Sequence, residues 1–104
     1  MQLDQHRKKQ LRAIGHGLKP VVTIAERGLT EGVSLELERA LEDHELIKIK
    51  LALGESQARK SLAETICSQH QALLVQAIGK VVLIYRPAKR PNPKLSNVLR
   101  LKGS

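Results

Sequence analysis

The chain has no tryptophan and no phenylalanine, and its single aromatic residue is Tyr85. Proteins that read single-stranded nucleic acid by stacking need several rings on one surface. This sequence cannot build such a platform, and Tyr85, at the end of an apolar run, reads as a sheet residue. Any nucleic acid it binds would be recognised by backbone and shape. The one cysteine, Cys67, excludes an internal disulfide and suits a reducing compartment such as the cytoplasm. No run approaches the ~20 apolar residues of a membrane-spanning helix. The basic start MQLDQHRKKQ has no apolar stretch behind it, so neither a secretory signal nor a membrane partner is expected.

Catalytic and metal-binding patterns are equally sparse. The histidines are scattered, and Cys67-x-x-His70 offers two ligands on one helical face where zinc takes three or four. No acid stands near to orient Cys67 and His70 as nucleophile and base. Gly15-His16-Gly17 lacks the third glycine and the strand context of a dinucleotide fingerprint. We expect a non-enzymatic protein with no cofactor, no metal and no small-molecule substrate.

What the sequence does have is positive charge, unevenly placed. Its 104 residues fit one domain and carry a formal net charge of +8. Residues 1–25 hold five Lys/Arg and one acid; residues 26–45 hold two Arg and seven acids; residues 46–104 hold eleven Lys/Arg and two acids. A basic surface interrupted by one acidic segment fits a polyanion binder with an oriented face. The acidic segment, helical over 30–45, either faces away from nucleic acid or meets a basic partner such as a ribosomal protein.

Hydrophobic spacing predicts the order α-β-α-β-α-β-β. Asp4 caps a first helix whose apolar side is Leu3, Leu11, Ile14 and Leu18, and Gly15-His16-Gly17 reads as its stop. Lys19-Pro20 forces an extended entry into Val21-Val22-Thr23-Ile24. Thr30 caps a second helix carrying Val33, Leu37, Ala40, Leu41 and His44 on one stripe. In Leu46–Leu53, Ile47, Ile49, Leu51 and Leu53 alternate with a face bearing Lys48 and Lys50 that meets solvent or a ligand. Ser56 is the expected cap of a third helix with Leu62, Ala63, Ile66 and Cys67 inside. Gly79-Lys80 is a two-residue turn of type II′ joining Leu73–Ile78 to Val81–Tyr85. The fold class is α/β with α+β character: a small mixed four-stranded sheet with helices against it. After Arg86 the proline-rich, basic RPAKRPNPK predicts an extended, mobile tail, followed by LSNVLRLKGS as a frayed end or a short docked helix.

Two constellations point to phosphate. The loop Ala25-Glu26-Arg27-Gly28 joins the first strand to the second helix, where unpaired N–H groups and the helix dipole attract anions. Arg27 adds a planar fork that matches phosphate oxygens, Lys19 precedes the strand, and Glu26 opposes the reading. Lys48, Lys50, Lys80, Arg86, Lys89 and Arg90 form a second basic set, sufficient for backbone contact and silent on sequence specificity. A plain connecting loop and a solvated surface are the competing readings.

LKPVV at 18–22, GLTEGV at 28–33, HELIKIKL at 44–51 and IGKVVLIYRP at 78–87, in that order, resemble the CRM-domain family (chloroplast RNA splicing and ribosome maturation) in its stand-alone bacterial YhbY type. The resemblance implies an RNA-binding domain over 1–86, similar in fold to the C-terminal domain of translation initiation factor three, with 87–104 as an added basic tail. It implies as partner RNA, in precursors of the large ribosomal subunit, with ribosomal proteins nearby. It also implies a GxxG loop after the first strand, which falls here on Ala25–Gly28, with alanine in place of the first glycine. If that position needs a positive φ, alanine costs ~1 kcal/mol or more. The competing function is a protein-interaction adaptor that docks through the acidic second helix.

Overall fold

A computed structural model of the protein describes residues 3–101; residues 1, 2 and 102–104, with Lys102 and both chain ends, lie outside the described residues. The elements are α1 Gln5–His16, β1 Pro20–Ile24, α2 Glu31–His44, β2 Leu46–Leu51, α3 Ser56–Gln69, β3 Leu73–Ile78, β4 Val81–Tyr85 and α4 Asn97–Leu101. The strands form one sheet in the order β1-β2-β4-β3. β1 and β2 are parallel across the α2 connection, and β4 is antiparallel to both β2 and β3. β3 therefore runs parallel to β2, as a helical connection requires, with β4 of the hairpin inserted between them.

Two cores follow from the alternation of the strands. Ile47, Ile49 and Leu51 of β2 join Val22, Ile24, Val82 and Ile84 under α2 (Leu37, Leu41) and α3 (Ala63, Ile66). The opposite face buries Leu46, Val75, Leu83 and Tyr85 under Leu11 of α1 and Val98 of α4. The lysine face of β2 is thus only partly open. Leu46 is covered, Lys48 is half-buried and Lys50 is exposed. Tyr85 is a core residue, 8% exposed, with the Arg7 guanidinium 5.8 Å from its ring centroid.

Local signals held at most boundaries. Asp4 accepts from Arg7 N at 2.7 Å, Thr30 Oγ1 accepts from Val33 N at 3.2 Å, and the hairpin closes over two residues with Gly79 at φ +57°. Two expectations change. Gly15 does not stop α1: it lies inside the helix, and a Cβ there would sit 2.5 Å from Leu83 Cδ2. Its hydrogen is what lets α1 lie close on the sheet, and Gly17, at φ −88°, ends the helix without a left-handed turn. Ser56 is the first residue of α3, not its cap; Glu55 is the N-cap and makes no side-chain capping bond. The segment after Arg86 is tied back to the fold where Ala88 N donates to Glu45 Oε2 at 2.7 Å, and of the two alternatives for its end the short docked helix is the one found. The segment runs back along the molecule, buries Ser96, Asn97 and Val98, and closes with α4.

Candidate nucleic-acid interface

The loop after β1 is a tight turn with an exposed tip. Gly28 N donates to Ala25 O at 2.9 Å, so Glu26 and Arg27 are its two central residues, both exposed. Gly28 follows at φ +70° and its carbonyl accepts from Thr30 N at 3.0 Å, which delivers the chain to the α2 cap. Only the second glycine position needs the left-handed region. Ala25 is not among the positive-φ residues, so alanine at the first position is free of φ strain.

Backbone ties gather other elements beside this turn. Ala52 N donates to Ile24 O at 2.7 Å, and Leu51 N donates to Lys80 O at 2.6 Å. Arg59 of α3 donates to Leu53 O at 2.7 Å, to Gly54 O at 3.0 Å and to Gly79 O at 3.2 Å. The C-terminal ends of β1 and β2 and the β3–β4 hairpin tip are thereby laced together. On the sheet face shared with α1, Thr23 pairs with Lys50, Lys50 with Val81, and Val81 with Ile78, making a row across all four strands. Arg27, Lys50 and Lys80 are exposed at this one end of the sheet. Glu26 shares the turn and is the opposing charge there.

The remaining basic residues lie elsewhere. Lys48 Nζ is 3.5 Å from His16 O, the outer limit of a hydrogen bond, over the C-terminus of α1. Lys19 lies at the opposite end of β1, and Lys89 and Arg90 are exposed beyond β4. Arg86 is committed inside the fold. Its side chain is 15% exposed and donates to both Glu38 oxygens at 2.9 and 3.0 Å and to His70 O at 3.2 Å, with Glu42 at 3.5 Å. A guanidinium so held is not open to phosphate, because α2 turned its acids toward the end of β4.

His70 belongs to the same cluster. Its Nδ1–H donates to Glu38 Oε2 at 2.6 Å, and its Nε2 lies 3.2 Å from Ser34 Oγ, so an acid does stand against His70, brought from α2 across 32 positions of sequence, contrary to the expectation that none is near. The hydrogen bond from His70 is the largest influence and lowers the Glu38 carboxyl; burial opposes it, and the hydrogen bond and charge of Arg86 help keep the group below its usual range. Burial pushes the Cys67 thiol up, away from nucleophilic use. Among the described residues no group of three potential metal ligands comes together, and no described helix is long and apolar enough to cross a membrane.

Residues 3–86 match the family model of the CRS1/YhbY (CRM) domain. The chain belongs to the CRM-domain family. It is 56% identical over 103 residues, 99% of each chain, to a Pseudomonas aeruginosa protein named a probable RNA-binding protein. An RNA-binding protein of Haemophilus influenzae is 38% identical across 89% of this chain and 94% of its own length. The solution structure of a Staphylococcus aureus protein, described as a candidate RNA-binding protein, superposes with a TM-score of 0.76 at 32% identity, covering 91% of this chain and 98% of that one. In this CRM domain the turn at Ala25–Gly28 lies within the matched region, and the chain beyond that region is the part that docks as α4.

Sequence reasoning missed what fastens that last part. Glu45, 4% exposed and at φ +62°, accepts from Ser96 Oγ at 2.6 Å and Ala88 N at 2.7 Å, and Asn97 Nδ2 donates to Leu46 O at 2.8 Å. The available signal was the apolar spacing Leu95, Val98, Leu99 and Leu101, which needs a surface to bury against.

Proposed function

We propose that the protein binds folded ribosomal RNA in the cytoplasm and acts, without catalysis, in assembly of the large ribosomal subunit. The observation that carries this reading is the laced sheet end, where Arg27 projects from a turn ordered by Gly28 beside exposed Lys50 and Lys80. Such an end brings three exposed cations together on a tied backbone, and phosphate contact needs positive charge along a track. The names of the relatives, RNA-binding proteins of two bacteria, support the same partner class. Precursor particles would supply the RNA, and ribosomal proteins would be neighbours there.

Adaptor function through α2 is the weaker reading. Glu38 and Glu42 are occupied by Arg86, and Glu45 is buried by the tail. Glu31 and Glu36 remain as exposed acids on that helix.

The test is titration into large-subunit ribosomal RNA fragments at several salt concentrations, with duplex DNA as competitor. Binding should survive DNA, and Arg27→Glu should weaken it about tenfold, as expected for reversing a phosphate contact. Unchanged affinity in Arg27→Glu removes the loop from the interface. Equal loss of binding to DNA leaves only generic charge.

A further inference from the structure

At the other end of β1 the docked tail builds a groove. It has a volume of about 430 Å³ and is lined by Leu18, Lys19 and Val21 on one wall and Lys94, Leu95 and Arg100 on the other. Two features make it more than a basic surface. Its cations come from both walls, and its apolar residues stay open to solvent: Val21 is 49% exposed and Leu95 40%.

The outer wall is braced. Nδ1 of His44, which also lines the groove, is 2.9 Å from Leu95 O; Ser96 is tied to Glu45, and Asn97 to Leu46 O. Arg100 donates to Asn97 Oδ1 at 2.8 Å, which leaves the other guanidinium nitrogens available. Lys94, Leu95 and Arg100 lie beyond the region matched by the family. Half of the groove thus lies outside the region that the family model matches.

Paired RNA presents phosphates and sugars but hides its base faces. An unpaired nucleotide presents a phosphate together with a flat, weakly hydrated base. A cleft that sets three cations around aliphatic walls matches the second and has no use for its apolar part with the first. The volume lies within the ordinary range of small-ligand pockets. The distance from the turn also matters. Lys19 and Ala25 are six steps apart along extended chain, about 20 Å at 3.3 Å per step. Neighbouring phosphates of one strand cannot reach both.

We propose that the groove between the start of β1 and the docked tail captures one unpaired nucleotide of a structured RNA. The phosphate sits among Lys19, Lys94 and Arg100, and the base lies on Val21 and Leu95. This rests on the RNA-binding reading and adds a second contact to it, with the turn at Arg27 on helical backbone and the groove on a looped-out residue. The aliphatic walls take the place of the aromatic platform that the composition excludes.

The experiment compares one RNA hairpin carrying a single-nucleotide bulge with the same hairpin fully paired, using the full chain. Wild type should bind the bulged RNA about tenfold more tightly. Lys94→Glu and Arg100→Glu should each erase that preference while keeping affinity for the paired hairpin within a few-fold. A second measurement, NMR titration of wild type with a ribonucleoside monophosphate and with inorganic phosphate, should move the amides of Val21 and Leu95 with the nucleotide and not with phosphate alone. Equal binding of both hairpins by wild type, or a preference untouched by both variants, overturns the groove and leaves the turn. Nucleotide and phosphate giving the same shifts reduces the groove to an anion site and also overturns it. Failure of wild type to bind either hairpin overturns the RNA reading itself.

Discussion

Single residues in this molecule carry more than their types announce. Gly15 looks like a helix terminator and is instead a contact point, with α1 continuing over Leu83 at a distance no Cβ permits. Gly15→Ala gains up to ~1 kcal/mol of helix propensity. It also forces a methyl onto a leucine that is 2% exposed and hemmed in by its core, an overpacking cost of roughly 1–3 kcal/mol. Net destabilisation of about 1 kcal/mol is expected in a denaturant melt, with RNA affinity retained because no proposed contact moves. Glu38 makes a second residue-scale prediction through pH. Its carboxyl is held below the usual range, so the folded state favours its charged form. That stability is present above the unfolded glutamate value of about 4.3 and is lost as pH falls through the lower folded value. Replacing Glu38 by Gln should flatten the acid limb of a stability–pH profile below pH ~4. An unchanged acid limb would place the acid sensitivity elsewhere.

At the scale of elements, the tail shows what local patterns can and cannot convey. Prolines and basic residues after Arg86 describe a chain that forms no regular structure by itself, and residues 87–95 contain none. Irregular backbone can still be anchored at a few points. Glu45 provides the missing restraint: a buried carboxylate at the α2–β2 joint needs donors, and the returning chain supplies Ala88 N and Ser96 Oγ. Ser96→Ala removes one donor from a buried charge, and a loss of about 1–3 kcal/mol is expected. The same variant should raise amide exchange from 94 to 101 more than in the sheet; uniform exchange would mean that the tail is held by Val98 and Asn97 alone. Most of the other elements were legible because they were announced locally, by Asp4, by Thr30, by the alternation in β2 and by Gly79. Pairing order was less so, since the position of β4 between β2 and β3 depends on which faces the helices cover. The proposed site was legible in its loop, where Arg27 and Gly28 are adjacent in sequence. It was not legible as a surface, because Arg86 reads as one more cation until the fold brings Glu38 and Glu42 to it.

For the whole molecule, the formal charge of +8 overstates some cations and understates others. Arg86 is neutralised by acids of α2, which also removes those acids from the long-range field, and Arg59 is spent on three carbonyls. The cations that remain include a group at each end of the sheet, Arg27, Lys50 and Lys80 at one and Lys19, Lys94 and Arg100 at the other. Counterion release turns this division into a measurement. Each cation that meets phosphate contributes roughly 0.7–0.9 to the slope of log affinity against log salt. Neutralising Arg27, Lys50 or Lys80 by Gln should reduce that slope by about that amount, alike in each case. Arg86→Gln should leave the slope as it is and lower thermal stability, since it strips Glu38 and Glu42 of their partner. If Arg86→Gln instead reduced the slope as Lys50→Gln does, the guanidinium would have to leave its carboxylates for RNA. The ion pairs at the end of β4 would then be the resting state of a contact surface and not part of the frame.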